Sequence, residues 1–200
     1  NTGSMRSCLA AGAAVQLSYH DNPRRKLKWT LERIDMGNGW IGVNTVLVNS
    51  VIANALEKGQ IGQFSGLGPI QREVKVERPG LEASRLDFVI ADESGQSVYT
   101  EVKNVTLFED DFLQFPDAVS VRAVKHLNLL RQLAGEGNRS VILFAINRPE
   151  GSCFRPAWEI DPDYARALKA AVKDGVELLP IRLIHRQQEI VVGGMLDYRL

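Results

Sequence analysis

Along the first 44 residues the hydrophobic pattern has a period of two or runs in short apolar blocks. AVQLS (14–18), WTLERI (29–34) and WIGVN (40–44) read as strands, separated by the turn formers Asp21-Asn22-Pro23 and Gly37-Asn38-Gly39. So short a segment cannot bury an independent core. From residue 45 the spacing becomes helical. Val48, Val51, Ile52, Ala55 and Leu56 recur three and four apart in TVLVNSVIANALEK, with Asn49 available as a cap and Gly59 as a stop. Three strand-like runs follow at 69–77, 84–90 and 97–105. A second helix is signalled at Pro116-Asp117 and runs to Gly135, with Val121, Val124, Leu127 and Leu130 as its inner stripe. SVILFAIN (140–147) is continuously apolar, the mark of a strand buried on both faces. Asp161-Pro162 opens a third helix, Gly175 closes it, and VELLPIRLI adds a strand, giving a parallel crossover unit. The pattern predicts an α/β (α+β) chain: a small β domain over 1–44, then a larger domain over 45–200 with a mixed central sheet flanked by helices.

Composition narrows the class. The 200 residues are 44% hydrophobic, and the longest apolar runs are strand-sized, so no membrane partner is expected. Cys8 and Cys153 stand far apart with no metal-ligand spacing, and no secretory pattern opens the sequence; a cytoplasmic location is expected. The 24 basic and 24 acidic residues cancel, so any nucleic-acid binding must come from a local patch. Nothing in the pattern assigns an oligomeric state.

The most informative chemistry lies on the predicted hairpin formed by SRLDFVI and VYTEVKNV. Glu101 and Lys103 are two apart and share a face. If the hairpin closes symmetrically about ADESGQS, Asp87 lies directly opposite Glu101, and two like charges there require a cation between them. Lys103 is one candidate and a divalent metal, Mg²⁺ or Mn²⁺, is the other. Two carboxylates suffice for Mg²⁺, with the carbonyl of Val102 as a third ligand and Glu73, on the preceding strand, as an addition. A neighbouring lysine orients water or stabilises charge on a phosphodiester. The bland alternative is a solvated strand face, since E-x-K is common. The apolar neighbours Leu86, Phe88 and Val102 argue instead for the sheet centre.

Two basic groups are candidates for nucleic acid. Arg24, Arg25, Lys26, Lys28 and Trp29 combine charge with an aromatic, as backbone neutralisation plus stacking demands, or else form a solvated hairpin loop. Arg122, Lys125 and His126 fall at i, i+3 and i+4, opposite the expected inner stripe, as a phosphate-contacting face or a merely exposed one.

Taken in order, NTGSM (1–5), NPRRKLKWTLE (22–32), GVNT (42–45), RLDF (85–88), EVKNVTL (101–107), FPDAVSVRAVKHL (115–127) and IDPDYARAL (160–168) resemble the sugar fermentation stimulation protein A family of bacteria and archaea. The resemblance implies an N-terminal OB-like domain followed by a domain similar to PD-(D/E)XK nucleases, with Asp87, Glu101 and Lys103 matching the nuclease signature. It also implies DNA binding and a link to regulation of sugar (maltose) catabolism. The family's strands upstream of NTGSM are absent, so the OB-like barrel is expected to be incomplete here, with further chain before Asn1. Ala123 stands where the family usually has Gly. A DNA-binding protein with a nuclease-like site, an active Mg²⁺-dependent nuclease acting on DNA or RNA, and an interaction module without nucleic acid all stay open at this point.

Overall fold

The computed structural model describes residues 3–92 and 94–200. Asn1 and Thr2 of the NTGSM motif and Glu93 of the hairpin turn lie outside them. The alternating N-terminal segment folds as three antiparallel strands in the order β1-β2-β3: β1 (Ala14–Tyr19), β2 (Trp29–Asp35) and β3 (Trp40–Gly42). Its own core is only Cys8, Ile34, Ile41 and Val43 with a few half-buried neighbours. Polar ties to the larger domain make up the difference. The Gly42 N–H donates to the Asn147 carbonyl (2.8 Å), and the buried Arg33 guanidinium donates to the carbonyls of Arg186 (2.6 Å) and Gln187 (3.1 Å). Arg148, also buried, donates to Ser7 Oγ (2.8 Å) and to the Thr106 carbonyl (2.6 Å). At this junction His185 Nε2 meets Asn147 Oδ1 (2.8 Å), and burial, then Arg33, pushes its pKa down to about 4.

Helix α1 (Thr45–Glu57) is capped by Asn44, whose side chain accepts from the Val46 N–H (3.1 Å). The expectation that Asn49 caps it is corrected: Asn49 sits inside the helix. Gly59 does end it, at φ +63, donating its N–H to the Leu56 carbonyl. The chain then forms β4 (Ile70–Val76), β5 (Ser84–Ala91), β6 (Ser97–Val105), β7 (Leu107–Glu109) and β8 (Phe112–Phe115). Helix α2 (Val121–Gly135), β9 (Arg139–Ile146), β10 (Cys153–Pro156) and α3 (Pro162–Lys173) follow, then β11 (Glu177–His185), β12 (Ile190–Met195) and β13 (Asp197–Tyr198).

The main sheet has the order β12-β11-β9-β6-β5-β4. β6, β9 and β11 run parallel and the outer pairs are antiparallel. β9 explains the two cores. Val141, Leu143 and Ala145 face α1, where they meet Val48, Ile52 and Leu56. Ile142, Phe144 and Ile146 face α2 and α3, against Leu127, Leu130 and Leu168. A strand sealed on both sides cannot alternate in polarity, which is why SVILFAIN reads as an unbroken apolar run. The second sheet, β13-β10-β8-β7, is built of strands too short to carry a legible period.

Helix α2 departs from expectation. Ser120 caps it, accepting from the Ala123 N–H (3.2 Å), so Pro116-Asp117 lies in the preceding loop. Its buried face is Ala123, His126, Leu127, Leu129, Leu130 and Leu133, whereas Val121 is 68% exposed and Val124 half-buried. Asp161 caps α3 through the Tyr164 N–H (2.9 Å) and also accepts from the Ser120 N–H (2.8 Å), joining the starts of the two helices. Among the described residues no helix is long and apolar enough to cross a membrane.

Candidate functional site

β5 and β6 pair from Ala91↔Ser97 to Phe88↔Thr100, and the ladder ends there. Carried one step further, its register sets Asp87 across from Glu101. At that point the Asp87 side chain replaces the missing strand partner. Its Oδ2 accepts the Val102 N–H (2.7 Å) and its Oδ1 accepts Asn49 Nδ2 from α1 (2.6 Å). The N–H and C=O of one residue leave a strand on the same side, so the Val102 carbonyl also faces this gap. On the other flank the β4–β5 pairing steps from Arg72↔Phe88 to Val74↔Leu86, passing over Glu73, which has φ +53. Leu86 joins the core beneath α2 and α3 while Phe88 joins the core beneath α1, although residues two apart on a regular strand share a face. The strand therefore turns over at Asp87 and opens the sheet. A left-handed backbone at a residue other than glycine costs about 1–3 kcal/mol and clusters at functional sites; Glu73 is such a residue, at the edge of the opening.

The resulting cleft has a volume of about 600 Å³, and Asp87, Glu101, Val102 and Lys103 all line it, together with Asn49, Glu73 and Arg122. Glu101 is 3% exposed. Both Lys103 Nζ (2.5 Å) and His126 Nδ1 engage its Oε1. Burial raises the Glu101 pKa, but the charge of Lys103 and the bond from His126 outweigh it and hold the group below its ordinary value. An ionised carboxylate only accepts, so His126 Nδ1 carries the hydrogen of that bond. Asp87 goes the other way: burial first, then the charge of Glu101, raises it to about 6, against the Val102 N–H, Lys103 and Asn49.

His126 is 3% exposed and lies behind Glu101, which corrects its placement on an outward basic face with Lys125. A stripe drawn through Ala123, His126, Leu127 and Leu130 would have placed it inside. Lys125 is exposed and paired with Glu82; Arg122 is exposed and faces the cleft. Asn49 was legible only as a cap, although a poor helix former within an apolar stripe is itself a sign of side-chain duty. The run from Arg24 to Lys28 lies in the exposed connection between β1 and β2. Lys28 there is held by Asp21 (2.9 Å), and Trp29, 59% exposed, lies against Tyr19 with ring centroids 5.0 Å apart. None of these residues lines the cleft. The NTGSM segment does reach it: Gly3 lines the cleft, a Cβ there would collide with the Asp117 carboxylate, and Asp117 accepts the Met5 N–H (3.2 Å).

Two features fit a divalent cation. The buried Glu101 Oε2 has no hydrogen-bond partner among the described residues, and Asp87 is disfavoured as an anion by burial and then by Glu101. Among the described residues no group of three or more His, Cys, Asp or Glu side chains is arranged around a metal position. Two carboxylates with a main-chain carbonyl and water are a sparse oxygen set of the kind Mg²⁺ takes.

The raised Asp87 pKa gives a signed stability profile. Between its ordinary value near 4 and about 6, the folded protein binds the proton that the unfolded chain has released, so stability falls as pH rises. The fall attributable to this group is about 3 kcal/mol. Chemical denaturation in metal-free buffer across pH 4–7 is expected to show that slope in the native protein and not in Asp87→Asn. Parallel profiles for the two proteins would contradict it.

Comparison with known proteins gives a consistent result. Residues 46–189 match the family model described as the sugar fermentation stimulation protein RE domain, and residues 1–43 match the SfsA N-terminal OB domain. The sugar fermentation stimulation protein homolog of Magnetococcus marinus is 44% identical over 200 residues, covering 100% of this chain and 84% of that protein. The homolog of Desulfotalea psychrophila is 42% identical over 196 residues, covering 97% of this chain and 81% of that protein. A solved structure of Pyrococcus furiosus SfsA in complex with Ca²⁺ superposes with a TM-score of 0.89 at 28% identity, over 100% of this chain and 84% of that one.

Proposed function

The chain belongs to the sugar fermentation stimulation protein family, and we propose that it binds nucleic acid, DNA in the first instance, and carries a divalent-metal phosphodiesterase centre at Asp87, Glu101 and Lys103. The observation that carries the proposal is the opening of the sheet at Asp87, which brings two carboxylates and a lysine into one cleft with a buried carboxylate oxygen left unpartnered. The Ca²⁺ bound by the similar Pyrococcus furiosus protein supports a divalent ion here, with Mg²⁺ or Mn²⁺ as the working ion. Asp87, Glu101 and the Val102 carbonyl would hold it, and once bound it would supply positive charge and an acidified water. The chain's own groups do the remainder. Asn49 and the Val102 N–H fix the Asp87 carboxylate, and His126 fixes Glu101. Lys103, 13% exposed at the cleft wall, presents an ammonium to the charge that develops on a phosphodiester. Arg122 offers a phosphate contact at the rim. The basic, aromatic-bearing connection at 24–29 and the match to an OB domain support nucleic acid as the ligand.

A second reading keeps the binding and drops the turnover. It is favoured by the placement of the basic connection at 24–28, which does not line the cleft and so can bind without taking part at the reacting centre.

Thermal unfolding with and without Mg²⁺ tests the metal. At a concentration about a hundredfold above Kd, the ion is expected to stabilise the native protein by about 2.7 kcal/mol. For a chain of this length that is a rise of about 5–10 °C in Tm. Asp87→Asn is expected to abolish the rise. A native protein whose Tm does not respond to Mg²⁺ or Mn²⁺ would remove the metal centre from the proposal. Assaying the same samples on DNA and RNA separates the two readings: turnover selects the nuclease, and binding without turnover selects the second.

A further inference from the structure

The cleft does not end at Asp87. Arg85 and Arg122 are shared between it and a second hollow of about 460 Å³, also lined by Ser84, Val121 and Lys125, so the two form one groove. The cations along this groove differ in how they are used. Lys103 is paired with Glu101 and Lys125 with Glu82. Arg85 and Arg122 are exposed and have no carboxylate partner among the described residues; Arg85 reaches only the Glu73 carbonyl (3.3 Å). Two unmatched guanidinium groups at the junction suit a polyanion, because their planar forks match phosphate oxygens.

The groove also has an apolar rim. Val46, in the first turn of α1, is 79% exposed; Val119, in the loop just before the Ser120 cap of α2, and Val121, the first residue of α2, are 72% and 68% exposed. Val46 and Val119 line the first hollow and Val121 the second. Exposed first turns of helices gain nothing from β-branched apolar residues, whose helix propensity is low. Single exposed valines are ordinary; three that bracket a groove with unmatched guanidinium groups form a surface with both apolar and cationic parts.

We propose that this groove takes a nucleic-acid strand with unpaired bases, its phosphates on Arg85 and Arg122 and its bases against Val46, Val119 and Val121. The proposal rests on the reading above that nucleic acid is the ligand, and deepens it by naming the strand form. A duplex keeps the apolar faces of its bases stacked inside and presents phosphates and mostly polar base edges, with thymine methyls the exception, so it offers the valines little. A single strand exposes those faces together with its phosphates. The phosphate that sits at Arg85 and Arg122 is thereby next to Asp87 and Lys103, where hydrolysis would occur.

Fluorescence anisotropy with labelled oligonucleotides of equal length, single-stranded and blunt duplex, in EDTA to prevent cleavage, tests this on the full chain. The native protein is expected to bind the single strand about tenfold more tightly than the duplex, and the Val46→Ser, Val119→Ser, Val121→Ser triple variant to lose that preference while duplex affinity holds. Arg85→Gln with Arg122→Gln is expected to weaken binding and to lower the logarithmic salt slope on single strands by about 1.4, two phosphate contacts at about 0.7 each. All five positions are exposed, and unchanged thermal unfolding verifies that each variant folds. Equal affinity for both forms, unaltered in the valine variant, would overturn the strand preference while leaving nucleic-acid binding in place. A native protein that binds neither form would overturn both. A dimer in light scattering that dissociates in the valine variant would assign the rim to a second copy of the chain and overturn the proposal.

Discussion

Under the proposed nuclease reading, Lys103→Ala is expected to slow phosphodiester cleavage by about 10²–10⁴-fold, the range for losing one general acid–base or electrostatic group. Affinity for DNA is expected to change little, because affinity is spread over many phosphate contacts and Lys103 contributes one charge at a half-buried position. The variant also removes one of the two groups bound to Glu101 Oε1, so some loss of stability accompanies it. Lys103→Arg separates the two effects. It keeps a positive charge beside Glu101 and so restores stability, but a guanidinium is a poor proton donor and does not fit the position of an ammonium. Single-turnover rates, Kd and urea denaturation measured on the same preparations give the comparison. If Lys103→Ala cleaves as fast as the native protein, Lys103 serves only as a counter-ion. If Lys103→Arg restores the rate in full, charge alone is what the site requires.

The second large effect is on stability. His126→Ala is expected to cost about 1.5–3 kcal/mol, the range for a hydrogen bond to a charged group. Glu101 and His126 are both 3% exposed, so the variant leaves a buried carboxylate with one partner fewer. The loss should appear in urea denaturation as a lower midpoint at an unchanged slope. His126→Asn places an amide N–H near the position of Nδ1 and is expected to recover part of the stability. A cost below about 1 kcal/mol for His126→Ala would mean that Lys103 by itself sustains the Glu101 carboxylate. The expected effect on metal binding has the same origin: His126 and Lys103 occupy one oxygen of Glu101 and leave the other unpartnered. If Glu101 holds the proposed metal, His126 is a positioning residue, and its loss should weaken the Mg²⁺-dependent rise in Tm as well as the fold.

Much of the larger domain was legible because burial imposes a period. α1 shows its inner face as Val48, Ile52, Ala55 and Leu56, and β9 shows burial on both sides as an unbroken apolar run. α3 is announced by Asp161 and Pro162, whose local roles as cap and first residue do not depend on the rest of the fold. The pairing of β5 with β6 follows from the turn between them, so the register from Ala91↔Ser97 to Phe88↔Thr100 was also accessible. Membership of the family was legible from the order of the motifs.

The sequence could not place what depends on contacts between distant segments. Ser120 and not the Pro116-Asp117 pair starts α2; Asp117 is engaged by Met5 and the Ser120 N–H by Asp161, each partner more than forty residues away in the chain. His126 looked like one of three basic neighbours on a helix; only the packing of α2 on the sheet turns it toward Glu101. Asn49 looked like a cap until α1 was laid across β5, where its amide reaches Asp87. By itself, then, the sequence determined the longer elements and the β5–β6 hairpin, because these follow from local backbone preference and from the period of burial. Only the tertiary structure decided that β5 turns over at Asp87, that the ladder stops there, and that Asn49, His126 and Arg122 converge on the opening. Those are consequences of how helices lie on a sheet, and a side chain's role at such a junction is set by the surface it meets and not by its neighbours in the chain.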